Sequence, residues 1–124
     1  LHMEGLVLDI KVSTKTIENI AEQIDVSGEI DVYTSPKVKD TINALIEKGA
    51  YNLIVNLEQV RYIDSTGLGV LIGALKKVRE HNGHIFLVCV DQQIKKVFTI
   101  TGLVKIFRIF NTNEEAIAAF DKAE

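Results

Sequence analysis

Residues 52–73 read NLIVNLEQVRYIDSTGLGVLIG, a short apolar run followed by hydroxyl residues and spaced glycines. The first six residues carry no charge, which favours a β-strand that is covered on both faces in the centre of a sheet. We expect residues 58–63 to connect this strand to a helix that begins at Asp64 or Ser65. A buried strand that leads into a helix is the repeating unit of a parallel α/β sheet.

Strand and helix patterns also precede the central strand. Alternating apolar residues over 6–12, turn-prone residues at 13–15 and a strand over 20–30 predict an opening β-hairpin. A helix with an apolar stripe is predicted from the capping hydroxyl of Ser35 to Gly49. The hairpin gives the sheet one antiparallel pair.

The patterns after the central strand repeat the strand–helix unit. The helix that starts near Asp64 is expected to end at Asn82-Gly83. The remaining predicted elements are a strand over 85–90, a helix with Ile94, Val97 and Phe98, a strand over 106–110, and a helix with Ala116, Ile117 and Phe120 that starts at a Thr112–Glu115 capping box. We therefore predict one α/β domain over residues 4–124, with a mostly parallel central sheet, an antiparallel edge strand and about four helices.

The composition is that of one globular domain, with 124 residues of which 47% are hydrophobic. The net charge is −3 and the charges are scattered, which disfavours nucleic acid and anionic membranes as partners. The single Cys89 lies in an apolar run and is expected in the core, so neither a disulfide nor a metal site is predicted. Without a membrane-span or secretory pattern, we expect a cytoplasmic protein. Leu1-His2 is expected to be an expression-tag remnant.

Asp64 and Ser65 are predicted to lie at the carboxyl end of the central strand, where functional groups gather in open α/β sheets. The simplest interpretation is that one of them caps the helix by accepting hydrogen bonds from free backbone N–H groups. A cap does not explain the glycines that follow, since glycine within a helix costs about 1 kcal/mol relative to alanine. Gly69 and Gly73 would allow the helix to pack closely on the sheet, whereas Gly67 is too near the hydroxyl groups for that assignment alone.

Two other interpretations, a phosphate cradle and a catalytic nucleophile, fit the residues less well. The glycines have the spacing G-x-G-x-x-x-G, which differs from the dinucleotide fingerprint, and no P-loop lysine follows them. The nucleophile-elbow pattern G-x-S-x-G is absent, and His81 and His84 lie about 25 Å from Ser65 by helical rise. We therefore predict no enzymatic activity and no cofactor.

An exposed hydroxyl at the start of a helix is also a suitable phosphate acceptor. Phosphorylation of Ser65 would add a charge of about −1.5 to −2 where the helix dipole favours anions, so the fold would tolerate it. Together with Asp64, Glu29 and Asp31, the phosphate would form an anionic patch. A partner fitted to the neutral serine would then be rejected.

Three sequence elements point to a known family. They are Gly28-Glu29-Ile30-Asp31 before a helix, Asn56-Leu57 followed by Asp64-Ser65-Thr66-Gly67-Leu68-Gly69, and Thr101-Gly102-Leu103 after the third helix. Together they resemble the STAS-domain anti-sigma factor antagonists of bacteria. The likeness runs from Leu6 to Phe120, and the D-S-[ST]-G-L-G element with an upstream G-E-[IL]-D is a specific pair of motifs.

This resemblance implies a partner-switching function. In that family the first hydroxyl after the aspartate, here Ser65, is phosphorylated by a cognate anti-sigma factor, a serine kinase of the histidine-kinase-like ATPase fold. The unphosphorylated protein binds this kinase and frees the sigma factor, and a PP2C-type phosphatase restores the unphosphorylated form. The free protein is expected to be a monomer.

The resemblance also implies a docking surface. It assigns partner contacts to Gly28, Glu29, Asp31, Asp64, Thr66, Gly67 and Leu68. From the residues alone, Asp31 has the alternative role of turning the chain into the helix at Ser35. The alternative functions are a scaffold subunit of a stress-sensing complex and a small-ligand or nucleotide-binding domain that uses the Gly67 loop.

Overall fold

The structure, a computed structural model, describes residues 10–122. Within this range a five-stranded sheet has the order β1-β2-β3-β4-β5, with β1 antiparallel to β2 and the other pairs parallel. The strands are β1 (Lys11–Ile17), β2 (Ala21–Ile30), β3 (Asn52–Ile63), β4 (His84–Val88) and β5 (Arg108–Phe110). The helices are α1 (Ser35–Glu47), α2 (Ser65–Arg79), α3 (Gln92–Ile100) and α4 (Asn113–Lys122), with a 3₁₀ helix at Leu103–Lys105. These elements confirm the predicted fold class, while residues 6–9 of the predicted first strand and the remnant at 1–2 lie outside the described residues.

β3 is the central strand, as predicted, but it has 12 residues, twice the predicted length. The prediction that residues 58–63 form a connection is wrong, because they continue the strand to Ile63 and pair with β2. Two register shifts in the β2–β3 pairing interrupt the alternation of buried and exposed side chains, so that only Val60 and Ile63 are buried in this part. α2 therefore follows the central strand almost directly.

The opening hairpin is present, but its turn lies further along the chain than predicted. Ser13, Thr14 and Lys15 lie in the middle of β1 and pair with β2. The turn is formed by residues 18–20, where Asn19 has a φ of 64°. Asparagine adopts this left-handed conformation more readily than most residues. The polar residues suit β1 because it is a largely exposed edge strand.

The sheet buries apolar side chains on both faces. On one face, Leu53, Val55 and Leu57 of β3 belong to the cluster that includes the buried residues of α1, α2 and α3. On the other face, Ile54 packs with Phe86 of β4 and with α4. This arrangement confirms that the uncharged run is covered on both sides. Cys89 is fully buried as predicted, and this burial raises the pKa of its thiol.

The predicted helix ends are confirmed to within a few residues. Gly49 after α1 has a φ of 92°, and Asn82 after α2 has a φ of 59°. At the start of α4, the Glu115 N–H donates to the Thr112 Oγ1 at 3.1 Å, and the Glu115 carboxylate accepts from the Asn111 N–H at 3.0 Å. Among the helices of residues 10–122, none is long and apolar enough to cross a membrane.

The glycines of α2 and of the loop after it have different surroundings. A Cβ atom at Gly69 or Gly73 would meet no atom within 4 Å, so the prediction that these glycines serve close packing on the sheet is wrong. A Cβ atom at Gly83 would lie 1.9 Å from the carbonyl oxygen of Tyr51. That oxygen is held in place because it accepts a hydrogen bond from the His84 N–H. The close approach of the Tyr51 backbone therefore requires glycine at position 83, whereas no neighbouring atom requires it at position 73.

We expect Gly83→Ala and Gly73→Ala to change stability in opposite directions. Gly83→Ala should lower the free energy of unfolding by about 1–3 kcal/mol or more, because a backbone oxygen must move. Gly73→Ala should raise it by up to about 1 kcal/mol, because alanine is the better helix former and the space is open. Urea titration followed by circular dichroism measures both changes, and equal unfolding midpoints would contradict the expectation.

Candidate functional site

The carboxyl ends of β2 and β3 meet at one edge of the sheet. Ile30 and Ile63, the last residues of the two strands, are paired, and the Asp64 N–H donates to the Ile30 carbonyl oxygen at 3.1 Å. β2 leads through residues 31–34 into α1, and β3 leads through Asp64 into α2. The G-E-I-D and D-S-T-G motifs therefore lie side by side.

Asp64 is the N-cap of α2. Its backbone is extended, and its Oδ1 atom accepts hydrogen bonds from the N–H groups of Thr66 at 2.9 Å and Gly67 at 3.1 Å. Of the two residues predicted as the cap, the structure therefore selects Asp64. Ser65 becomes the first residue of the helix, and its side chain is not needed as the cap.

Ser65 and Thr66 present their side chains to solvent at the start of α2. Within residues 10–122, neither hydroxyl group makes a hydrogen bond to another part of the protein. The first turn of the helix therefore offers two accessible hydroxyl groups next to the Asp64 carboxylate.

Gly67 and Leu68 are buried, unlike their neighbours Ser65 and Thr66. A Cβ atom at Gly67 would lie 2.7 Å from the Cγ2 of Ile30 and 2.8 Å from the Cγ1 of Ile63. The absence of a side chain thus allows α2 to begin directly on the ends of both strands. Leu68 belongs to the core. Both residues therefore position the first turn of α2 by packing between it and the interior of the protein. A direct contact of either residue with a partner stays a prediction.

Asp31 holds the loop between β2 and α1 in the same way that Asp64 holds the start of α2. Its Oδ1 atom accepts from the N–H groups of Tyr33 at 2.9 Å and Thr34 at 3.0 Å, and from the Thr34 hydroxyl at 3.2 Å. The bond from the Thr34 N–H, with the other donors, keeps the pKa of the Asp31 carboxyl below its ordinary value. The interpretation of Asp31 as a turn-forming residue is confirmed, and its contact with a partner stays a prediction.

The start of α1 differs by one residue from the prediction. Thr34, not Ser35, precedes the helix, and Ser35 is its first residue and is buried. The Thr34 side chain does not cap the helix; its hydroxyl donates to the Glu29 carbonyl oxygen at 2.6 Å. The local reason is that Asp31 turns the loop and draws the Thr34 side chain back towards β2.

Gly28 and Glu29 lie at an irregular point of β2. Gly28 has a φ of 112°, a conformation that favours glycine, and the β2–β3 register shifts between Gly28 and Glu29. Glu29 then pairs with Tyr62 and is half-buried. Gly28 therefore has a backbone role, and Glu29 follows it at the rim of the site.

Three exposed apolar side chains flank this edge of the sheet, and sequence reasoning missed them. Val32 is 57% exposed, Tyr33 88% and Tyr62 48%; we call these residues the apolar rim. Large exposed apolar groups around a polar centre are typical of protein-binding surfaces. The sequence does contain one sign of them, the Val32-Tyr33 pair in an otherwise polar loop. This pair fits neither a helical nor a strand periodicity, so it is not explained by burial in the core.

A groove of about 670 Å³ between α1 and α2 continues the exposed surface. Val32 and Pro36 line it on one side, and Thr66, Gly69 and Gly73 line it on the other. The open space above the two helical glycines therefore belongs to this groove rather than to a contact with the sheet.

The arrangement does not resemble a catalytic or phosphate-binding centre. The Thr66 and Gly67 N–H groups, which would cradle a phosphate, already bond to Asp64. His81 lies beyond the far end of α2 and stacks on Tyr51 with ring centroids 3.9 Å apart. Among residues 10–122 no three His, Cys, Asp or Glu side chains are grouped closely enough to hold a metal ion.

Comparison with known proteins gives consistent matches over nearly the whole chain. Residues 11–116 match the STAS domain family. An anti-sigma-B factor antagonist of Staphylococcus aureus is 33% identical over 102 residues, covering 82% of this chain and 94% of that protein. The crystal structure of an anti-sigma factor antagonist from Mycobacterium paratuberculosis has a TM-score of 0.83 and 26% identity, covering 91% of this chain and 95% of that one.

A further match is the structure of the Bacillus cell fate determinant SpoIIAA in the phosphorylated form. Its TM-score is 0.70 and its identity 25%, with 88% of this chain and 98% of that chain covered. The family match and the relative both cover most of the chain. The chain therefore belongs to the STAS-domain family of anti-sigma factor antagonists.

Proposed function

We propose that the unphosphorylated protein binds a cognate anti-sigma factor that is also a serine kinase, and that this binding releases the sigma factor. Phosphorylation of Ser65 switches the binding off, and a PP2C-type phosphatase restores it, all in the bacterial cytoplasm. The observation that carries this proposal is the exposed Ser65 at the first position of α2, directly after the Asp64 cap. The protein acts here as a binding partner and a kinase substrate, not as a catalyst.

The site can accept a phosphate without a change of fold. The Ser65 side chain does not cap the helix, so its modification breaks no capping bond. A phosphate adds a charge of about −1.5 to −2 at the N-terminus of α2, where the helix dipole favours anions. We therefore expect phosphorylation to leave α2 and its contacts intact.

The same phosphate changes the electrostatics of the docking surface. Asp64 precedes Ser65, and Asp31 lies at the same edge because Ile30 and Ile63 are paired. A further charge of about −1.5 to −2 beside these carboxylates produces a strongly anionic surface. A partner whose surface matches the neutral serine then faces repulsion and uncompensated desolvation.

The apolar rim supplies the attractive part of the interface. Val32, Tyr33 and Tyr62 expose apolar area that an anti-sigma factor would cover, and tyrosine is enriched at interface hot spots. Glu29 and Asp31 add carboxylate groups beside it for contacts with basic or N–H groups of the partner. Binding strength and phosphate sensitivity thus come from neighbouring but different side chains.

Phosphorylation is expected at Ser65, because the family resemblance assigns the acceptor to the first hydroxyl group after the aspartate. After incubation with ATP and the host's anti-sigma kinase, the wild-type protein and Thr66→Ala should each gain one phosphate, whereas Ser65→Ala should gain none. Intact-mass spectrometry with site mapping measures this, with a sample lacking kinase as the control. Modification of Ser65→Ala at Thr66 would show that the kinase does not distinguish the two hydroxyl groups.

Charge at position 65 should control affinity for the anti-sigma kinase. We expect Ser65→Ala to bind like the wild type and Ser65→Asp to bind about 5- to 150-fold more weakly, the range of a typical coupling free energy. Isothermal titration calorimetry with the purified kinase measures both dissociation constants. Equal affinities of the two variants would remove the electrostatic explanation.

The apolar rim should contribute to affinity but not to stability. Tyr33→Ser should weaken binding to the anti-sigma kinase by about 10-fold or more, as for an interface anchor. Its free energy of unfolding should change by no more than about 0.5 kcal/mol, because the side chain is exposed. Ile100→Ser, at another largely exposed position outside the site, is the matched control and should bind normally. Normal binding by Tyr33→Ser would exclude the rim from the interface.

A further inference from the structure

The basic residues are concentrated in one part of the chain. Seven of the fourteen Lys and Arg residues lie between Lys76 and Arg108, but only two of the seventeen acidic residues, Glu80 and Asp91, lie there. The sequence-based interpretation of scattered charge is therefore wrong for this region. The protein as a whole is acidic, so this segment carries a local excess of basic residues.

The fold brings the basic end of α2 next to the segment that follows the 3₁₀ helix. Lys76, Lys77 and Arg79 occupy the last turn of α2. The Arg79 Nη2 atom lies 3.5 Å from the carbonyl oxygen of Ile106, which joins this turn to the segment after the 3₁₀ helix. α3 ends at Ile100, and a left-handed Gly102 turns the chain into the 3₁₀ helix.

Exposed apolar side chains lie in the same place. Ile100 is 72% exposed, Val104 44% and Ile106 38%, all within seven residues of chain. Their neighbour Phe107 is buried, so the segment has one face on the core and one face in solvent. Single exposed apolar residues are common, but a group of three is typical of an interaction surface.

Basic and apolar side chains alternate across this surface. Lys96 lies one helical turn before Ile100, and Lys105 separates Val104 from Ile106. We call the whole surface the basic-apolar patch and define it by Arg79, Lys96, Ile100, Val104, Lys105 and Ile106. Basic residues at the end of α2 also complement the helix dipole, but that effect explains neither Lys105 nor the exposed aliphatic groups.

The patch is distant from Ser65. α2 has 15 residues, so its two ends are about 22 Å apart by helical rise. Ser65 lies at the beginning of this helix and Arg79 at its end. A molecule bound to the basic-apolar patch would leave the phosphorylation site accessible.

We propose that the basic-apolar patch is a second docking surface, which binds an acidic segment of a protein that also carries exposed Leu, Ile or Val side chains. The aliphatic groups of that segment would cover Ile100, Val104 and Ile106, and its carboxylates would pair with Arg79, Lys96 and Lys105. This inference goes beyond the proposed switch, because it concerns another end of the molecule and needs no phosphorylation. It would connect the antagonist to a partner other than the anti-sigma kinase.

A protein segment suits the patch better than a lipid surface does. Membrane-surface sites typically use aromatic residues on the apolar face of an amphipathic helix. The patch instead consists of β-branched aliphatic groups at a helix end and a 3₁₀ turn.

The test uses the full chain and a synthetic helical peptide with Glu on one face and Leu on the other. Fluorescence anisotropy should detect binding of the labelled peptide, and added salt should weaken it. Lys105→Glu and Ile100→Ser should each raise the dissociation constant about 5-fold or more. Lys15→Glu, the same charge change on the exposed edge strand β1, should have little effect, as should Ser65→Asp.

Several results would overturn the proposal. One is the absence of peptide binding by the wild-type protein; another is equal weakening by Lys15→Glu and Lys105→Glu, which would indicate unspecific charge attraction. A matched peptide with Lys in place of Glu should not bind, and a polyglutamate peptide should bind more weakly than the Leu-containing one. Binding to vesicles of anionic lipid or to duplex DNA, but not to the peptide, would assign the patch to a different class of partner.

Discussion

The pairing of Ile30 with Ile63 determines the geometry of the candidate site. Because β2 and β3 are parallel and end together, the residues that follow them, Asp31 and Asp64, emerge at the same edge of the sheet. The Asp64 N–H bond to the Ile30 carbonyl oxygen extends this pairing by one residue, and Gly67 allows α2 to rest on both isoleucines. A slip of one residue in the β2–β3 register would separate the two motifs and turn buried side chains outward.

The two aspartates use the same chemistry for the same purpose. Each accepts two backbone N–H bonds from residues two and three positions ahead, on its own loop or helix start. Each carboxylate therefore has a fixed position before any partner arrives, which reduces the entropy lost on binding. The turn-forming role of Asp31 is thus compatible with the partner contact that is proposed for it.

Local patterns in the sequence were sufficient for most of the fold. The uncharged run of β3 and the stripes of the helices require only burial and periodicity, and both were predicted correctly. The errors lie where long-range pairing overrides local appearance. Polar residues 13–15 look like a turn but belong to an edge strand, and residues 58–63 look like a connection because register shifts disturb their alternation.

The sequence predicted the positions of the polar residues of the candidate site, but not those of its exposed apolar residues. Ser65 and Asp64 are identified by their spacing before a helix, whereas the exposure of Tyr33 depends on how the β2–α1 loop lies against the rest of the sheet. Glycine is ambiguous in sequence for a similar reason. Gly67 and Gly69 occur in one motif, yet the first touches two strands and the second faces an open groove.

The Asp64 cap has a consequence for the speed of the proposed switch. Since its carboxylate already satisfies the N–H groups of Thr66 and Gly67, a phosphate on Ser65 gains no new backbone donors there unless the cap opens. The backbone can then keep one path in both states, so no slow rearrangement of the domain separates them. The rate of switching would then be set by the enzymes that add and remove the phosphate. The conformation of the protein would depend only on whether the phosphate is present, and not on its previous state.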